Sequence, residues 1–134
     1  MSIEIGLKGF AEKVVTYDLT AAAVGSGAQE VFATPAMIAL METSALQAMT
    51  PHLEAGLGSV GTRIDVTHLS ATPMGMTVRA ECEAIEVDRK RVVFSVKAYD
   101  EAGLIGEGTH ERFIIDVEKF MAKSLSKKPS AAKE

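Results

Sequence analysis

Thr34-Pro35-Ala36-Met37-Ile38-Ala39-Leu40-Met41-Glu42-Thr43-Ser44-Ala45-Leu46-Gln47-Ala48-Met49 is the stretch that decides the fold of this 134-residue chain. Threonine is a good helix N-cap, and proline suits the first helical position, where its missing N–H is not needed. Pro51 stops the helix near Met49 or Thr50. Two neighbouring stripes at helical spacing are mostly apolar: Met37, Met41, Ser44 and Ala48, then Ile38, Glu42, Ala45 and Met49. A helix apolar around most of its surface is buried on several sides. Glu42 breaks the pattern, as the only acid between Glu30 and Glu54. A half-buried carboxylate is costly unless hydrogen-bonded or paired. That makes Glu42 a candidate for chemistry, against the plain alternative of an acid at the solvent edge of the helix.

Beyond Gly56 the period changes from helical to alternating. Val60, Thr62, Ile64, Val66 and His68 alternate with Gly61, Arg63, Asp65, Thr67 and Leu69, which predicts a strand with one apolar face. Thr72-Pro73-Met74-Gly75 reads as a turn, followed by alternation from Thr77 to Val87. Asp88-Arg89-Lys90 turns the chain into a strand holding Val92, Phe94, Val96 and Ala98. A last strand runs from Leu104 to Asp116, with Ile105, Thr109, Phe113 and Ile115 on one face, and Val117 to Met121 is a short helical turn. Ahead of the helix, Phe10 to Leu19 reads as a strand, Ala21 to Gly27 as a loop or turn, and Glu30 to Ala33 as a short extended stretch. The turns make the last four strands consecutive and antiparallel. The predicted class is α+β, a curved antiparallel five-stranded sheet wrapped around one long helix. Residues 1–121 form a single domain, and 122–134 a polar, flexible tail. The free edges of such a sheet call for a dimer.

The formal net charge of −4 and the lack of a dense basic patch argue against a nucleic-acid binder, and 47% apolar residues argue against disorder. Cys82 is the single cysteine, in the alternating run Val78, Ala80, Cys82, Ala84, and reads as a core residue. It can form no internal disulfide and no zinc cluster, which points to a reducing, cytoplasmic setting. No secretory leader and no bilayer-spanning run is recognised, so no membrane association is expected.

Three residues are candidates for a site: Thr34, Glu42 and His68. Thr34 lies at a positive helix end, where a hydroxyl and free N–H groups can stabilise an oxyanion or hold a water. Its plain reading is an N-cap. Glu42 stands roughly 12 Å further along the axis and about 80° around it, so the two side chains do not simply touch. His68 shares a face with Ile64 and Val66, toward the helix, where it is either functional or a satisfied interior histidine. His52 follows Pro51 in a loop, while His110 alternates with Gly106 and Gly108 and so faces something crowded. The chain has no G-x-S-x-G elbow, no H-E-x-x-H and no phosphate loop.

Val31-Phe32-Ala33-Thr34-Pro35-Ala36-Met37-Ile38-Ala39-Leu40-Met41-Glu42, followed by Gly58-Ser59-Val60-Gly61-Thr62-Arg63-Ile64-Asp65-Val66-Thr67-His68-Leu69, resembles the hotdog-fold thioesterases, specifically the fluoroacetyl-CoA thioesterase-like group. The resemblance runs from about Leu7 to Ile115. It implies a hotdog fold, a homodimer with active sites near the subunit interface and room for a dimer of dimers, and hydrolysis of an acyl-CoA thioester. It also implies catalytic roles for Thr34, Glu42 and His68, and a place near the thioester for Gly61, with no metal and no redox cofactor. Met37 and Ile38 are expected to line the acyl pocket, which suits a short or compact acyl group. The same pocket on a non-catalytic protein would bind acyl-CoA or a small acid, a hydratase would use similar acid–base chemistry, and a purely structural dimer would leave the three residues apart. The fluoroacetyl-specific member of the group carries phenylalanines in a lid ahead of the threonine. The matching stretch here, Val24-Gly25-Ser26-Gly27-Ala28-Gln29-Glu30, has no aromatic residue, which removes the ground for expecting fluoroacetyl selectivity.

Overall fold

The alternating segments all become strands in the computed structural model, which describes residues 2–129. Strand β1 spans Lys8–Val14, β2 Leu57–His68, β3 Thr77–Asp88, β4 Arg91–Asp100 and β5 Gly103–Asp116. Helix α1 covers Ala21–Val24, α2 Thr34–Met49 and α3 Val117–Leu125. The strands form one antiparallel sheet in the order β1-β3-β4-β5-β2. It curls around α2, which buries Met37, Leu40, Met41, Ser44, Ala45, Ala48 and Met49. Against them lie Val78, Ala80, Cys82 and Ala84 of β3 and Val92, Phe94, Val96 and Ala98 of β4, as the alternation predicted. Burial raises the Cys82 thiol pKa, which suits a core residue.

The strand order corrects one expectation. β2 does not pair with β3 but with β5, and β3 instead takes β1 as its outer neighbour. Residues 69–76 are too long for a tight hairpin. They cross the end of the sheet and bind the segment ahead of α2, where the Phe32 N–H donates to the Thr72 carbonyl at 2.8 Å. The turn chemistry of Pro73 and Gly75 is genuine, but it serves this crossing. β1 also ends earlier than predicted. After Val14 the chain makes a 3₁₀ turn at Tyr17–Leu19, then the single turn of α1. Thr20 caps α1 by accepting from the Ala23 N–H, and Gly25, at φ +82°, closes it. The last helix reaches Leu125, beyond the short turn expected, with the Asp116 carboxylate accepting from the Lys119 N–H. The start of the proposed tail is therefore helical, and its final residues, 130–134, lie outside the described residues.

β2 and β5 hold a further departure. Gly61 pairs with Arg112 and Arg63 with Glu111, so Thr62 is an extra residue at a β-bulge. Its hydroxyl donates to the Glu111 carboxylate at 2.7 Å. The bulge resets the alternation. Gly61 faces α2, and so do Ile64, Val66 and His68 beyond the bulge, whereas strict alternation puts Gly61 on the other face. On β5 the buried set is Ile105, Gly106, His110 and Arg112, so Ile105 of the predicted face is in the core while Thr109, Phe113 and Ile115 are not.

Candidate active site

α2 and β2 run antiparallel, so the order Thr34 to Glu42 along the helix meets the order His68 to Gly61 along the strand. At one end, Thr34 Oγ1 lies 2.8 Å from His68 Nδ1. This contact replaces the capping role read from the sequence. Ala33 is the N-cap of α2, and Thr34 is its first residue, so the hydroxyl points away from the helix end and toward the strand. Burial lowers the His68 pKa, partly opposed by the nearby Ser70 backbone, which favours a neutral ring at pH 7. Its Nε2 is buried with no hydrogen-bond partner among the described residues. A cleft of about 320 Å³ opens beside the pair, its wall including Ser26, Val31, Phe32 and Leu69 as well as Thr34 and His68.

At the other end, Glu42 is half-buried and set against Gly61. A Cβ added to Gly61 would stand 2.7 Å from Glu42 Oε2, 3.0 Å from His110 Cε1 and 3.4 Å from Arg112 Nη1. Glycine is thus the residue that lets this backbone meet the carboxylate. Arg112 is only 6% exposed. It donates from Nε to Ser59 Oγ at 3.0 Å, from Nη2 to the Ser59 carbonyl at 3.0 Å, and from Nη1 to His110 Nε2 at 3.1 Å. Burial works against its charge and the Glu42 carboxylate works for it. His110, 1% exposed, also donates from Nδ1 to the Arg63 carbonyl at 2.8 Å. Its pKa is lowered, first by burial and further by Arg112, against the Arg63 bond and the Glu42 charge.

The structure therefore brings Thr34 to His68, and Glu42 to Gly61. No hydrogen bond among the described residues joins the two pairs. Met37 is fully buried, its thioether filling the space a Cβ on Gly106 would need, and Gly106 is the ladder partner of His68. Met37 thus packs beneath the histidine, and Ile38 is half-buried beside it along the helix. His52 lies near the end of α2, in a depression with Leu53 and Arg89, away from both pairs. Larger depressions, including one of about 430 Å³ between Phe10, Arg79, Lys97 and Tyr99, touch neither pair. Among the arginines on the sheet surface, Arg79 is engaged with Glu12 and Glu81 and stacks 3.8 Å over Phe10. Arg91 is engaged with Glu86 and Glu111. No group of three His, Cys, Asp or Glu residues among the described ones could hold a metal ion, and no described helix is long and apolar enough to cross a membrane.

Arg112 is the residue the sequence reading missed. The signal was present in Gly106, Gly108, His110 and Arg112, an alternation of small and polar residues on β5. It lost to the neighbouring alternation because that one is more apolar.

A single long helix gripped by a curled five-stranded antiparallel sheet is the hotdog fold, and the polar cluster lies along its helix–β2 seam. The model of the fluoroacetyl-CoA-specific thioesterase family matches residues 15–118. A fluoroacetyl-CoA thioesterase from Streptantibioticus cattleyicolor is 50% identical over 101 residues, which are 75% of this chain and 73% of that protein. The solved structure of a fluoroacetyl-CoA thioesterase superposes with a TM-score of 0.90 at 40% identity, covering 96% of this chain and 100% of that one. A thioesterase superfamily member from Thermus thermophilus gives a TM-score of 0.90 at 31% identity, over 99% of this chain and 98% of that one. The chain belongs to the fluoroacetyl-CoA-specific thioesterase family, and it is a thioester hydrolase.

Proposed function

We propose that this protein hydrolyses the CoA thioester of a short or compact acyl group to the free acid and CoA, with Thr34, Glu42 and His68 as its catalytic residues. The observation that carries this reading is the 2.8 Å contact between Thr34 Oγ1 and His68 Nδ1, a hydroxyl and a neutral imidazole in the geometry of a working pair. With the Thr34 hydroxyl donating to Nδ1, the proton sits on the unpartnered Nε2. From there it can donate a hydrogen bond to the departing CoA sulfur and stabilise its developing charge, the ring keeping its proton. Glu42 supplies the carboxylate at the other end. As a general base it takes a proton from water as the water oxygen bonds to the carbonyl carbon. As a nucleophile it forms an anhydride that water then opens. In both routes the C–S bond breaks, CoA leaves as the thiolate, and the proton released by the water converts it to the thiol. Gly61 lets its strand backbone reach the acyl group.

Several features support a CoA substrate of modest acyl size. One relative was solved as a variant in complex with acetyl-CoA. The lid segment contributes Ser26 to the cleft beside Thr34 and holds no aromatic residue, and Phe32 just beyond it is the one aromatic side chain on the wall. Discrimination in favour of fluoroacetyl over acetyl is accordingly not part of this reading. A homodimer follows from β2, a 12-residue edge strand bearing Gly61 and His68, whose open side suits a second copy. The decisive experiment is thiol release by wild type and Glu42→Gln across acetyl-, fluoroacetyl-, butyryl-, phenylacetyl- and palmitoyl-CoA. Wild-type turnover by the variant on every cleaved substrate would remove Glu42 from the mechanism, and a maximum at palmitoyl would remove the compact pocket. Label found in Glu42 after a single turnover in ¹⁸O-labelled water would establish the nucleophilic route.

A further inference from the structure

We propose that His110 is a positioning residue of this site: its neutral Nδ1–H imidazole ties the Gly61 bulge to the Arg112 guanidinium and so fixes both against Glu42. The inference rests on the hydrolase reading for its kinetic consequence, but its structural content is independent of that reading.

The tautomer is dictated by the partners. A backbone carbonyl can only accept, so Nδ1, 2.8 Å from the Arg63 oxygen, must carry a proton. A guanidinium can only donate, so Nε2, 3.1 Å from Arg112 Nη1, must be bare. One ring in one protonation state therefore satisfies two strands at once. The Arg63 bond grips β2 at the residue where regular pairing with β5 resumes after the bulge. The Arg112 bond, with the two to Ser59, holds the guanidinium in one orientation. Cε1, at 3.0 Å from the Cβ position of Gly61, makes the ring a wall of the space into which Glu42 points. A residue that only filled volume would not need both nitrogens bonded. At 1% exposure, an apolar side chain of similar size would pack as well, but it would leave the carbonyl and the guanidinium without their partner.

Two substitutions separate the two bonds. Asparagine places its amide near Nδ1 and can keep the bond to Arg63, but leaves Arg112 Nη1 unsupported. Glutamine reaches the position of Nε2 and can accept from Arg112. The inference predicts that His110→Asn lowers kcat by about 10- to 100-fold, the worth of one charge-assisted hydrogen bond, with KM changed little. His110→Gln should keep kcat clearly above the asparagine variant, and both should unfold within a few degrees of each other. Asparagine equalling or exceeding glutamine, or both losing activity only in step with their thermal midpoints, would mark a packing residue and overturn the proposal. A readout that needs no turnover runs in parallel. Long-range ¹H–¹⁵N spectra of the wild-type protein at neutral pH should show His110 as the Nδ1–H tautomer, and an Nε2–H or cationic ring would equally overturn it. If the wild type cleaves no acyl-CoA, the hydrolase reading fails, while the tautomer still decides the positioning role.

Discussion

Replacing Gly61 with alanine tests the geometry of the site at its tightest point. The added methyl would lie 2.7 Å from Glu42 Oε2 and 3.0 Å from His110 Cε1. An ordinary carbon–oxygen approach is about 3.3 Å, so the carboxylate must retreat by about 0.6 Å if the backbone stays in place. His110 yields less, because hydrogen bonds hold both of its ring nitrogens. Glu42 is the end of a flexible, half-buried side chain, so its movement costs little stability. Overpacking costs about 1–3 kcal/mol in general, and the lower end applies, a Tm loss of a few degrees. The same movement is expensive for chemistry, since a misplacement approaching 1 Å can cost about 100-fold in rate, or about 2.7 kcal/mol of barrier. The expected result is therefore a large fall in kcat/KM with a small fall in Tm, measured by thiol release and thermal unfolding on one preparation. Gly106→Ala is the comparison. Its methyl would meet Met37 Sδ at 2.5 Å and the Thr67 carbonyl at 3.1 Å, inside the core, so its larger effect should be on Tm. Gly61→Ala with wild-type kcat/KM, or with losses in activity and stability that track each other, would refute the claim that Glu42 must sit against this backbone.

Thr34→Ala should lower kcat by about 10- to 1,000-fold through loss of the hydroxyl partner of His68, whereas Thr34→Ser should retain most of it. Equal loss in both, read by the same thiol assay, would shift the role of Thr34 from its hydroxyl to its methyl group. Stability should fall on acidification. His68 and His110 both have folded pKa values below the ordinary 6.5, so the unfolded chain binds protons first. Their contribution is complete above pH 6.5 and is lost as pH falls through the lowered folded values. Urea unfolding between pH 7.5 and 5 checks this, and a flat profile in the His68→Asn, His110→Asn double variant would assign it. Light scattering at micromolar concentration should give a dimer mass, and a proline in the middle of β2 should shift it toward the monomer. A monomer in the wild type would exclude edge pairing through β2.

Much of this architecture is written in local periodicity. Helix α2 and the inward faces of β3 and β4 follow from apolar spacing alone, because each element buries one continuous stripe. Alternation with Ile64 and Val66 also turned His68 toward the helix that carries Thr34 and Glu42. What stayed hidden depends on partners distant in sequence. Nothing near β2 says that it pairs with β5, since that choice belongs to how the whole sheet closes around α2. The Thr34 hydroxyl looked like a cap because capping is the local option, and a histidine 34 residues away claimed it instead. Arg112 was passed over because a buried arginine is rare, and its three hydrogen bonds, which make burial tolerable, are invisible until Ser59 and His110 are brought beside it.

The extra residue in β2 also says where this scaffold can change length. Along a regular strand, adding or removing one residue turns everything beyond it inside out. Between Ile64 and His68 the ladder is unbroken, so a single deletion there would swing the histidine out to solvent. At Thr62 the rule is relaxed. Removing it would leave Gly61 and Ile64 two residues apart, on the same face of an uninterrupted strand, with only the local kink lost. Sequence alignments of relatives should accordingly tolerate a one-residue gap at this point and reject it a few positions later. For anyone redesigning the pocket, this is the place to change the angle of approach without exchanging inside for outside.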